Sequence, residues 1–514
     1  MSEEAPRAST GAAGREPLPA ANRRRVHIAL LLILVLASAV RLVRLDEPDS
    51  FVFDETYYAK DACVYLERSA EECELEQAQE QSYVHPPLGK WIISVGIQAF
   101  GFTPVGWRVM AALFGVGLVV LVWRLTESLF DAPTALIAGL LVAADFLLIV
   151  QSRIAMLDIF LAFFVVLGYW FIALDRQNVL AVRRHLRSGG EGETPSRGWS
   201  MRMAAGAAFG LALSVKWSAV YPMAAAGLFA LAWSLGLLKL RRRTDERGVR
   251  PNLRRAGLKE VAVLALAFGL VPLTVYLGSY GDYFVQQSKA DCGFVVPGSD
   301  SGRILSAGNL GLTEAQCVDG VGGAALGFMD LHDRVAHYHL TLDATHPYQS
   351  QAWTWPLVLR PVAYHWDSVE VEPEGTQVEH IVAMGNPIVW IGALIAAVWL
   401  VLRSLRGWRP ETVVAGAWAV QYLPWLLVAR PLFLFYMTPA VPFMMIGLAA
   451  GLNALRRRSR VAQRLVWLYL AVGVGLMLLI FYPVLTAVEM PYDVWQRLMW
   501  IGNFDCGGLT CGWI

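Results

Sequence analysis

Long apolar segments separated by short polar ones dominate the sequence. A run of about 20 apolar residues is long enough for a helix to cross the hydrocarbon core of a bilayer. The pattern predicts about eleven such helices, near residues 26–45, 104–125, 134–151, 154–174, 203–218, 219–238, 259–280, 387–402, 412–428, 432–452 and 465–486. The fifth and sixth segments are short, which predicts a tight hairpin or tilted helices. The sequence therefore predicts an all-α, polytopic membrane protein.

Composition supports the same class of protein. Of the 514 residues, 56% are hydrophobic and only 17% are charged, which is far too apolar for a soluble protein of this size. Residues 1–25 are rich in Ala, Gly, Pro and Glu and are typical of a disordered cytoplasmic tail. Residues 26–486 form the predicted transmembrane domain, and residues 487–514 form an external C-terminal tail.

The first apolar segment has two interpretations. Arg23-Arg24-Arg25, the apolar run and Ala37-Ser38-Ala39 together resemble a secretory signal with a cleavage site. The apolar stretch continues past that site to Leu45, which favours a first span that stays uncleaved. Cleavage would leave the topology of the other helices unchanged, so the distribution of charge does not distinguish the two.

Clusters of basic residues all fall on one side of the predicted helices. By the positive-inside rule that side is cytoplasmic, so the loops at residues 46–103 and 281–386 are external, and we expect short amphipathic helices in them. The clusters are short and flank apolar segments, which argues against nucleic-acid-binding patches, and we expect no nucleic-acid partner. They are Arg23 to Arg25, Arg183-Arg184, Arg241 to Arg243, Arg254-Arg255, Arg403 to Arg409 and Arg456 to Arg458.

All six cysteines lie in segments that are predicted to be external. Two lie in each of the three external segments, and disulfides persist in oxidising compartments, so the distribution favours local pairs. Six cysteines allow 15 connectivities, and the sequence alone does not establish the choice. Zinc binding is the alternative, although no segment has the ligand spacing for it. The favoured pairs are Cys63 with Cys73, Cys292 with Cys317, and Cys506 with Cys511.

Charged residues near the external helix ends are the candidates for a functional site. Asp54 and Glu55 follow the first span, and His85 opens the run His85-Pro86-Pro87-Leu88-Gly89-Lys90. An ionisable group beside a bilayer is costly unless it is paired or hydrated, so it is functional by default. The apolar part of the chain adds Arg108, Asp145, Arg153, Asp158, Lys216 and Arg430. A structural alternative pairs these charges, for example Arg153 with Asp145 or with Asp158.

A carboxylate opposite several cations fits the transfer of a sugar from a lipid-linked phosphate. The departing phosphate gains negative charge, which fixed cations must stabilise, preferably the planar fork of arginine. The acceptor hydroxyl is a poor nucleophile, so a carboxylate takes its proton as the bond forms, which is worth roughly 10²–10⁴ in rate. A long apolar groove between helices would hold the polyprenyl chain.

A set of motifs in a fixed order carries a family resemblance. They are Phe53-Asp54-Glu55, the His85 run, Arg108 in Trp-Arg-Val-Met-Ala-Ala, Ser152-Arg153-Ile154-Ala155-Met156-Leu157-Asp158, Lys216-Trp217, Gly385-Asn386-Pro387, and Arg430 ahead of Phe433-Leu434-Phe435-Tyr436-Met437. Nearly the whole chain resembles the protein O-mannosyltransferases, integral-membrane glycosyltransferases of the GT-C class, and looks most like their actinobacterial members. The Asp-Glu dipeptide alone is weak evidence for the family, but its occurrence in order with the other motifs is strong evidence.

The resemblance implies roles for individual residues. The family's catalytic aspartate falls on Asp54, with Glu55 supporting it, and Arg108 matches a family arginine of the second span. Lys216 and Arg430 match positions where contact with the lipid phosphate is expected.

Three further residues are candidates for binding the donor. Asp158 and His85 belong to the motifs, and His346 lies in an element of the long external loop, His346-Pro347-Tyr348-Gln349-Ser350, that looks like a bacterial family element facing the site.

The implied mechanism is a single displacement with inversion. Asp54 would deprotonate a Ser or Thr hydroxyl of an exported polypeptide, and the oxygen would attack the anomeric carbon of polyprenyl-phosphate mannose. No cofactor or obligate metal is expected, because no ligand cluster is evident beyond the acidic pair. The expected partners are the lipid donor, the exported polypeptide, membrane lipids and, by analogy, the secretion translocon. The expected location is the bacterial plasma membrane, with the active site external.

Three alternative functions remain compatible with parts of the sequence: another GT-C transferase, a transporter and a noncatalytic scaffold. A different GT-C transferase would use the same pocket to glycosylate a lipid or a cell-wall polysaccharide. A transporter usually places its charges near the bilayer midplane and on broken helices, and a noncatalytic scaffold has little reason to hold Asp54, Arg108 and Lys216 together. Trp353, Trp355, Tyr364 and Trp366 fit an interfacial aromatic belt or a wall that binds sugar or peptide.

Overall fold

The chain folds into a helical bundle with small sheets at one end. The structure is a computed structural model, and it describes residues 20–69, 71–74, 84–188, 198–245, 253–297, 305, 316–371, 375–407 and 409–513. Most of the predicted N-terminal tail, residues 1–19, lies outside these ranges. The described part is mostly helical, as the apolar pattern predicts.

The helices are joined mainly by short connections. They are α1 Ala20–Leu42, α2 Glu55–Val64, α3 Leu88–Phe100, α4 Pro104–Leu129, α5 Ala132–Ala143, α6 Phe146–Gln151, α7 Asp158–Arg187, α8 Ser200–Leu213, α9 Val220–Asp245, α10 Leu253–Ala265, α11 Val271–Ser279, α12 Gly281–Lys289, α13 Gly320–Thr341, α14 Pro387–Ser404, α15 Pro410–Tyr422, α16 Val441–Arg456, α17 Arg460–Gly475, α18 Tyr482–Leu485 and α19 Tyr492–Leu498. A π-helical turn joins α10 to α11, and another joins α17 to α18.

Seven helical segments of the described residues are long and apolar enough to cross a membrane. They are Ala21–Leu42, Pro104–Leu129, Asp158–Arg187, Trp217–Leu237, Gly257–Ser279, Pro387–Ser404 and Arg460–Leu485. Each coincides with one of the predicted spans. The other predicted spans correspond to shorter helices, so the multi-pass membrane class is confirmed but the number of eleven is not.

Helix caps and prolines explain why the helices in three predicted spans are shorter than the apolar segments that predicted them. Asp145 interrupts the third, because its side chain accepts a hydrogen bond from the amide of Leu148 and starts α6. The ninth leaves the α-helical conformation after Tyr422, and Pro424 lies in the 3₁₀ turn that follows. The tenth becomes α-helical only at Val441, where a proline occupies the first turn. Apolar composition alone does not reveal such breaks.

Small antiparallel sheets form in the segments that connect the helices and in the C-terminal tail. The all-α prediction did not include them. The strands are β1 Phe294–Val295, β2 Cys317–Val318, β3 Val362–Val371, β4 Gly375–Ala383, β5 Met490–Pro491, β6 Phe504–Asp505 and β7 Thr510–Cys511. β1 pairs with β2, β6 pairs with β7, and β3, β4 and β5 form a three-stranded sheet. The β3–β4 register shifts at a bulge between Ala363 and His365, beside Tyr364.

All three predicted disulfides are present. Cys63 bonds to Cys73 next to α2, and Cys292 bonds to Cys317 across the β1–β2 pair. The third bond closes the β6–β7 hairpin of the C-terminal tail, and its partners are Cys506 and Cys511. The described residues contain no free cysteine.

Helix α7 organises the bundle and positions the candidate site. It is largely buried and packs against α4, α8 and α9. Asp158 is the first residue of α7, Arg108 lies in the second turn of α4, and Lys216 follows the end of α8. The alternating directions of these helices therefore bring the three charges to the same end of the bundle.

Candidate active site

A fully buried ion pair joins the acidic loop to the second span. Arg108 donates from Nε to Oε1 of Glu55 at 2.9 Å and from Nη2 to Oε2 at 2.9 Å, and both side chains are completely buried. The same carboxylate accepts from the backbone amides of Val52, at 2.9 Å, and Ala155, at 2.8 Å. Glu55 thus joins the loop before α2 to α4 and to the segment before α7.

The guanidinium of Arg108 has no N–H group left for a ligand. Its Nη1 donates to the carbonyls of Leu45, at 3.2 Å, and Pro48, at 2.7 Å, and its Nη2 also donates to the carbonyl of Ser50, at 2.8 Å. Together with the bonds to Glu55, these contacts use all five guanidinium donors. The geometry therefore favours a positioning role for Arg108 over the predicted contact with the donor.

Asp54 stands at the start of α2, directly before the buried glutamate. The preceding residue, Phe53, has a φ of 52°, in the left-handed region that is strained for a non-glycine residue. Its ring stacks on Tyr364, with centroids 4.4 Å apart, and packs edge-on against Phe435. These contacts hold the turn in place, and Asp54 itself is partly buried and accepts a hydrogen bond from the Tyr58 hydroxyl at 3.3 Å.

A second ion pair lies close to Asp54. Nζ of Lys216 is 2.7 Å from Oδ2 of Asp158, and both side chains are nearly buried. Burial raises the pKa of Asp54 from its ordinary value to about 6, Lys216 opposes the rise, and Asp158 adds to it. Because these charges act on Asp54, the three residues form one electrostatic cluster.

His85 and Arg430 are the remaining members of the cluster, one neutral and one cationic. The His85 ring lies 6.1 Å from the ring of Tyr58 and 5.8 Å from that of His339. Burial, followed by the charges of Lys216, His339, Lys90 and Arg430, holds the pKa of His85 well below its ordinary value, so this imidazole is neutral. The guanidinium carbon of Arg430 lies 5.9 Å from the centroid of the Tyr436 ring.

Arg430 differs from the other two cations in its bonding. Within the described ranges it forms no ion pair, whereas Arg108 and Lys216 each bind a carboxylate. Its side chain is also partly exposed. Arg430 is consequently the most available of the three cations for an incoming anion.

His346 also reaches the site through the turn that presents Asp54. Its ring lies 6.4 Å from that of Phe53 and 5.1 Å from that of Phe433. Its Nδ1 accepts a hydrogen bond from the amide of Tyr348 at 3.1 Å. The structure thus gathers all the sequence-predicted site residues at one end of the bundle.

Three tyrosines near Asp54 were not among the predicted catalytic or donor-binding residues. Tyr58 donates to Asp54, the Tyr364 ring stacks on that of Phe53, and the Tyr436 ring packs edge-on against Phe435. Burial, followed by the charges of Asp158 and Asp54, raises the pKa of Tyr364 well above its ordinary value. Tyr364 and Tyr436 stand in aromatic runs that the sequence singled out, but neither run indicates which ring faces the carboxylates.

The remaining predicted charges are structural. Asp145 accepts a hydrogen bond from Nε1 of Trp390 at 2.7 Å, and Arg153 donates to backbone carbonyls near the end of α1, including that of Val43 at 2.7 Å. The alternative ion pairs of Arg153 with Asp145 or Asp158 are absent from the described residues, and Asp158 binds Lys216 instead.

The described residues also contain no group of three His, Cys, Asp or Glu side chains arranged to hold a metal ion. The absence of an obligate metal stays a prediction.

Two models of one protein family match consecutive parts of the chain. The model described as dolichyl-phosphate-mannose-protein mannosyltransferase matches residues 31–281, and that of the C-terminal four-TMM region of protein-O-mannosyltransferase matches residues 325–504. A polyprenol-phosphate-mannose–protein mannosyltransferase of Mycobacterium tuberculosis is 30% identical over 94% of this chain and 92% of that protein. The chain belongs to the protein O-mannosyltransferase family. A protein of the same name from Mycolicibacterium smegmatis is 29% identical over 92% of each chain.

Solved structures identify the fold. The Saccharomyces cerevisiae protein O-mannosyltransferase Pmt1-Pmt2 complex bound to the sugar donor matches with a TM-score of 0.71 and 14% identity, over 94% of this chain and 93% of that chain. ArnT from Cupriavidus metallidurans bound to undecaprenyl phosphate matches with a TM-score of 0.52 and 17% identity, over 86% of this chain and 63% of that chain. The predicted GT-C fold is therefore confirmed, and this member of the family is a mannosyltransferase with several membrane spans.

The positioning role of Arg108 predicts how its substitution affects kinetics. Arg108→Lys keeps a positive charge but loses the bidentate contact with Glu55, so the turn that carries Asp54 loosens. We expect kcat to fall at least about tenfold while the KM for the lipid donor stays within about twofold. Arg124→Lys, at the exposed opposite end of the same helix, is the matched control. A selective rise in the donor KM of Arg108→Lys would assign Arg108 to donor binding instead.

The raised pKa of Asp54 predicts a pH dependence. A general base must be ionised, so kcat/KM for the acceptor should increase with pH below about 6 and level off above it. The measurement is initial rate against pH between about 5 and 8. A profile that stays flat across this range would contradict the role of Asp54.

Proposed function

We propose that this protein transfers mannose from polyprenyl-phosphate mannose to Ser or Thr hydroxyls of exported proteins, at the external face of the bacterial plasma membrane. The general reaction is supported by mycobacterial relatives that are named for it and match almost the whole chain. An external site is supported by the cytoplasmic distribution of the basic clusters and by three disulfides at the ends and loops of the bundle.

Asp54 is the proposed general base. It is the carboxylate of the adjacent pair that is partly exposed and carries no ion pair among the described residues, whereas Glu55 is saturated by Arg108 and backbone amides. This difference is the observation that carries the proposal. A base needs an accessible oxygen with a pKa close to the working pH, and burial brings the pKa of Asp54 to about 6.

The proposed displacement occurs in one step. A lone pair of the acceptor oxygen forms the new bond to the anomeric carbon of mannose, and the proton of the hydroxyl moves to Asp54. The bond between that carbon and the phosphate oxygen breaks, and its electron pair leaves with polyprenyl phosphate. Attack and departure occur on opposite faces, so a β-linked donor gives an α-mannoside.

Lys216 and Arg430 are proposed to bind the phosphate. The charge that develops there favours cations held in place before the reaction. Lys216 is fixed by Asp158, and Arg430 is available for an anion, as described above. A neutral His85, whose pKa is lowered by the charges of both cations as well as by burial, can donate or accept a hydrogen bond without adding a third positive charge.

An apolar cavity beside Lys216 is proposed to hold the first part of the polyprenyl chain. The cavity has a volume of about 420 Å³ and lies between α8, α9, α11 and α13. Its lining includes Trp217, Phe268 and Leu273, so it offers almost entirely apolar contacts. Since Trp217 directly follows Lys216, a phosphate on that lysine would leave its lipid tail at the mouth of the cavity.

Substitution of Asp54 tests the proposed base. Asp54→Asn preserves the size of the side chain but cannot accept the proton, so we expect kcat to fall by about 10²–10⁴ without a change in donor binding. The assay measures transfer from synthetic polyprenyl-phosphate mannose to a threonine-containing peptide by the purified protein. Asp49→Asn, an exposed carboxylate in the same loop, is the matched control. Full activity of Asp54→Asn would remove it from this role.

Substitution of Arg430 tests the proposed phosphate contact. Arg430→Ala removes an available cation, and a charge-assisted hydrogen bond is worth about 1.5–3 kcal/mol, so we expect the donor KM to rise about tenfold or more. The peptide KM should change less. Arg497→Ala, in an exposed ion pair of the tail, is the control. A larger effect on the peptide KM than on the donor KM would reject the assignment.

A further inference from the structure

A second cavity lies at the same end of the bundle and shares Arg430 with the proposed donor site. Its volume is about 380 Å³, and it lies between the segment at residues 343–353 and the segment at residues 425–432. Leu509, from the C-terminal hairpin, forms part of its wall. In contrast with the apolar cavity beside Trp217, this one is lined by amide, hydroxyl and charged groups together with Trp353 and Trp425.

This cavity is connected to the proposed base through two short paths. Arg430 lines it and lies against the Tyr436 ring, which packs edge-on against Phe435. Phe435 in turn packs edge-on against the ring of Phe53, the residue before Asp54. Thr345 also lines it, and the next residue, His346, packs against the Phe53 ring that adjoins Asp54. Packed side chains therefore link the cavity to the turn that carries Asp54.

Two segments without regular secondary structure supply unpaired backbone groups to the cavity wall. The amides of Asp343, Ala344, Thr345, Ala429 and Arg430 donate to no backbone carbonyl in the part of the chain that the structure describes. All five residues line the cavity. Backbone N–H groups in such segments are the partners that an extended polypeptide uses when it binds through its main chain.

The charge of the lining is balanced. Asp343 and Arg430 are the charged side chains of the lining, and the other polar members carry neutral amides or hydroxyls, for example Gln349 and Gln351. Trp353 adds a flat apolar surface that is 46% exposed. Such a lining favours an uncharged, extended segment with small or apolar side chains.

The C-terminal tail is fastened to residues that follow the 343–353 segment. Nε1 of Trp513 donates to the carbonyl of Val358 at 2.7 Å, and the amide of Gly512 donates to the carbonyl of Leu359 at 2.7 Å. The Cys506–Cys511 disulfide closes the hairpin that presents Leu509. These bonds anchor the tail, which contributes Leu509 to the cavity lining.

Arg360 couples the tail to the segment that carries His346. Its Nη1 donates to the carbonyl of Gly512 at 3.2 Å, and its Nη2 donates to the carbonyl of Pro347 at 2.9 Å. The guanidinium also lies 5.0 Å from the Tyr348 ring. Arg360 therefore links the tail to the segment that places His346 beside Phe53.

We propose that this cavity binds the uncharged, extended stretch of acceptor polypeptide next to the modified Ser or Thr, and that the disulfide-closed C-terminal hairpin holds its wall. The proposal rests on the proposed function, since it names the part of the acceptor that the same site recognises. Trp353 supplies the side-chain contact, and the free amides of the two segments supply main-chain hydrogen bonds.

The test compares a long and a minimal acceptor with the same purified full-length protein. The long acceptor is an uncharged peptide with several residues on each side of one threonine, and the minimal one is a threonine blocked at both ends. Trp353→Ala should raise the KM of the long peptide about tenfold, with the donor KM and the rate for blocked threonine within about twofold. The double variant Cys506→Ser and Cys511→Ser should act in the same direction.

Trp366→Ala is the matched control, because Trp366 is 44% exposed in the same external loop and does not line the cavity. An unchanged preference for the long peptide in Trp353→Ala would overturn the proposal. Failure of the unaltered protein to mannosylate either acceptor would instead overturn the proposed function, and the inference with it.

A second measurement does not depend on variants of the cavity. The long peptide, carrying a photoreactive group three residues from its threonine, is cross-linked to the Asp54→Asn protein in lipid nanodiscs. Attachment within residues 343–353 or 425–432 supports the proposal. Attachment only to other segments, such as the β3–β4 hairpin, would contradict it.

Discussion

The buried pair of Glu55 and Arg108 is the interaction on which the site depends. It joins the acidic loop, the second membrane span and the segment before α7 in one network with no exposed charge. Removing one partner from a buried pair leaves an uncompensated charge, at a cost of about 3–5 kcal/mol. The pair therefore fixes the turn at Phe53, and with it the position of Asp54.

Two adjacent carboxylates have different roles because their surroundings differ. Glu55 is enclosed by an arginine and two backbone amides, which occupy both of its oxygens and leave neither free for substrate. Asp54 is partly exposed, has one hydrogen bond from Tyr58, and faces both a cation and another carboxylate. The same contrast separates the cations: Arg108 is saturated and Lys216 is paired, while Arg430 is available.

The sequence predicted the parts of this arrangement that depend on composition and order. Apolar runs located the seven long helices, the separation of cysteines by segment gave the three disulfides, and the ordered motifs gave the family and the residues that meet at one end. It did not predict the breaks at Asp145, Tyr422 and Val441, since these depend on caps and prolines within apolar stretches.

The other features that the sequence did not predict depend on contacts between distant parts of the chain. The β3–β4 hairpin forms where strands pair across a loop that has no long apolar run, and the apolar pattern carries no signal for it. The role of Arg108 depends on three carbonyls at residues 45–50, which no residue pattern reveals. The wall formed by the C-terminal hairpin likewise depends on contacts between distant segments.

The most direct test of the account is an experimental structure with a non-transferable donor analogue and an acceptor peptide bound together. The account predicts the acceptor hydroxyl at about 2.6–3.2 Å from the carboxylate of Asp54, with the phosphate on Lys216 and Arg430. Arg108 should still bind Glu55. A complex in which Glu55 rather than Asp54 contacts the hydroxyl, or in which Arg108 leaves Glu55 to bind the phosphate, would contradict it.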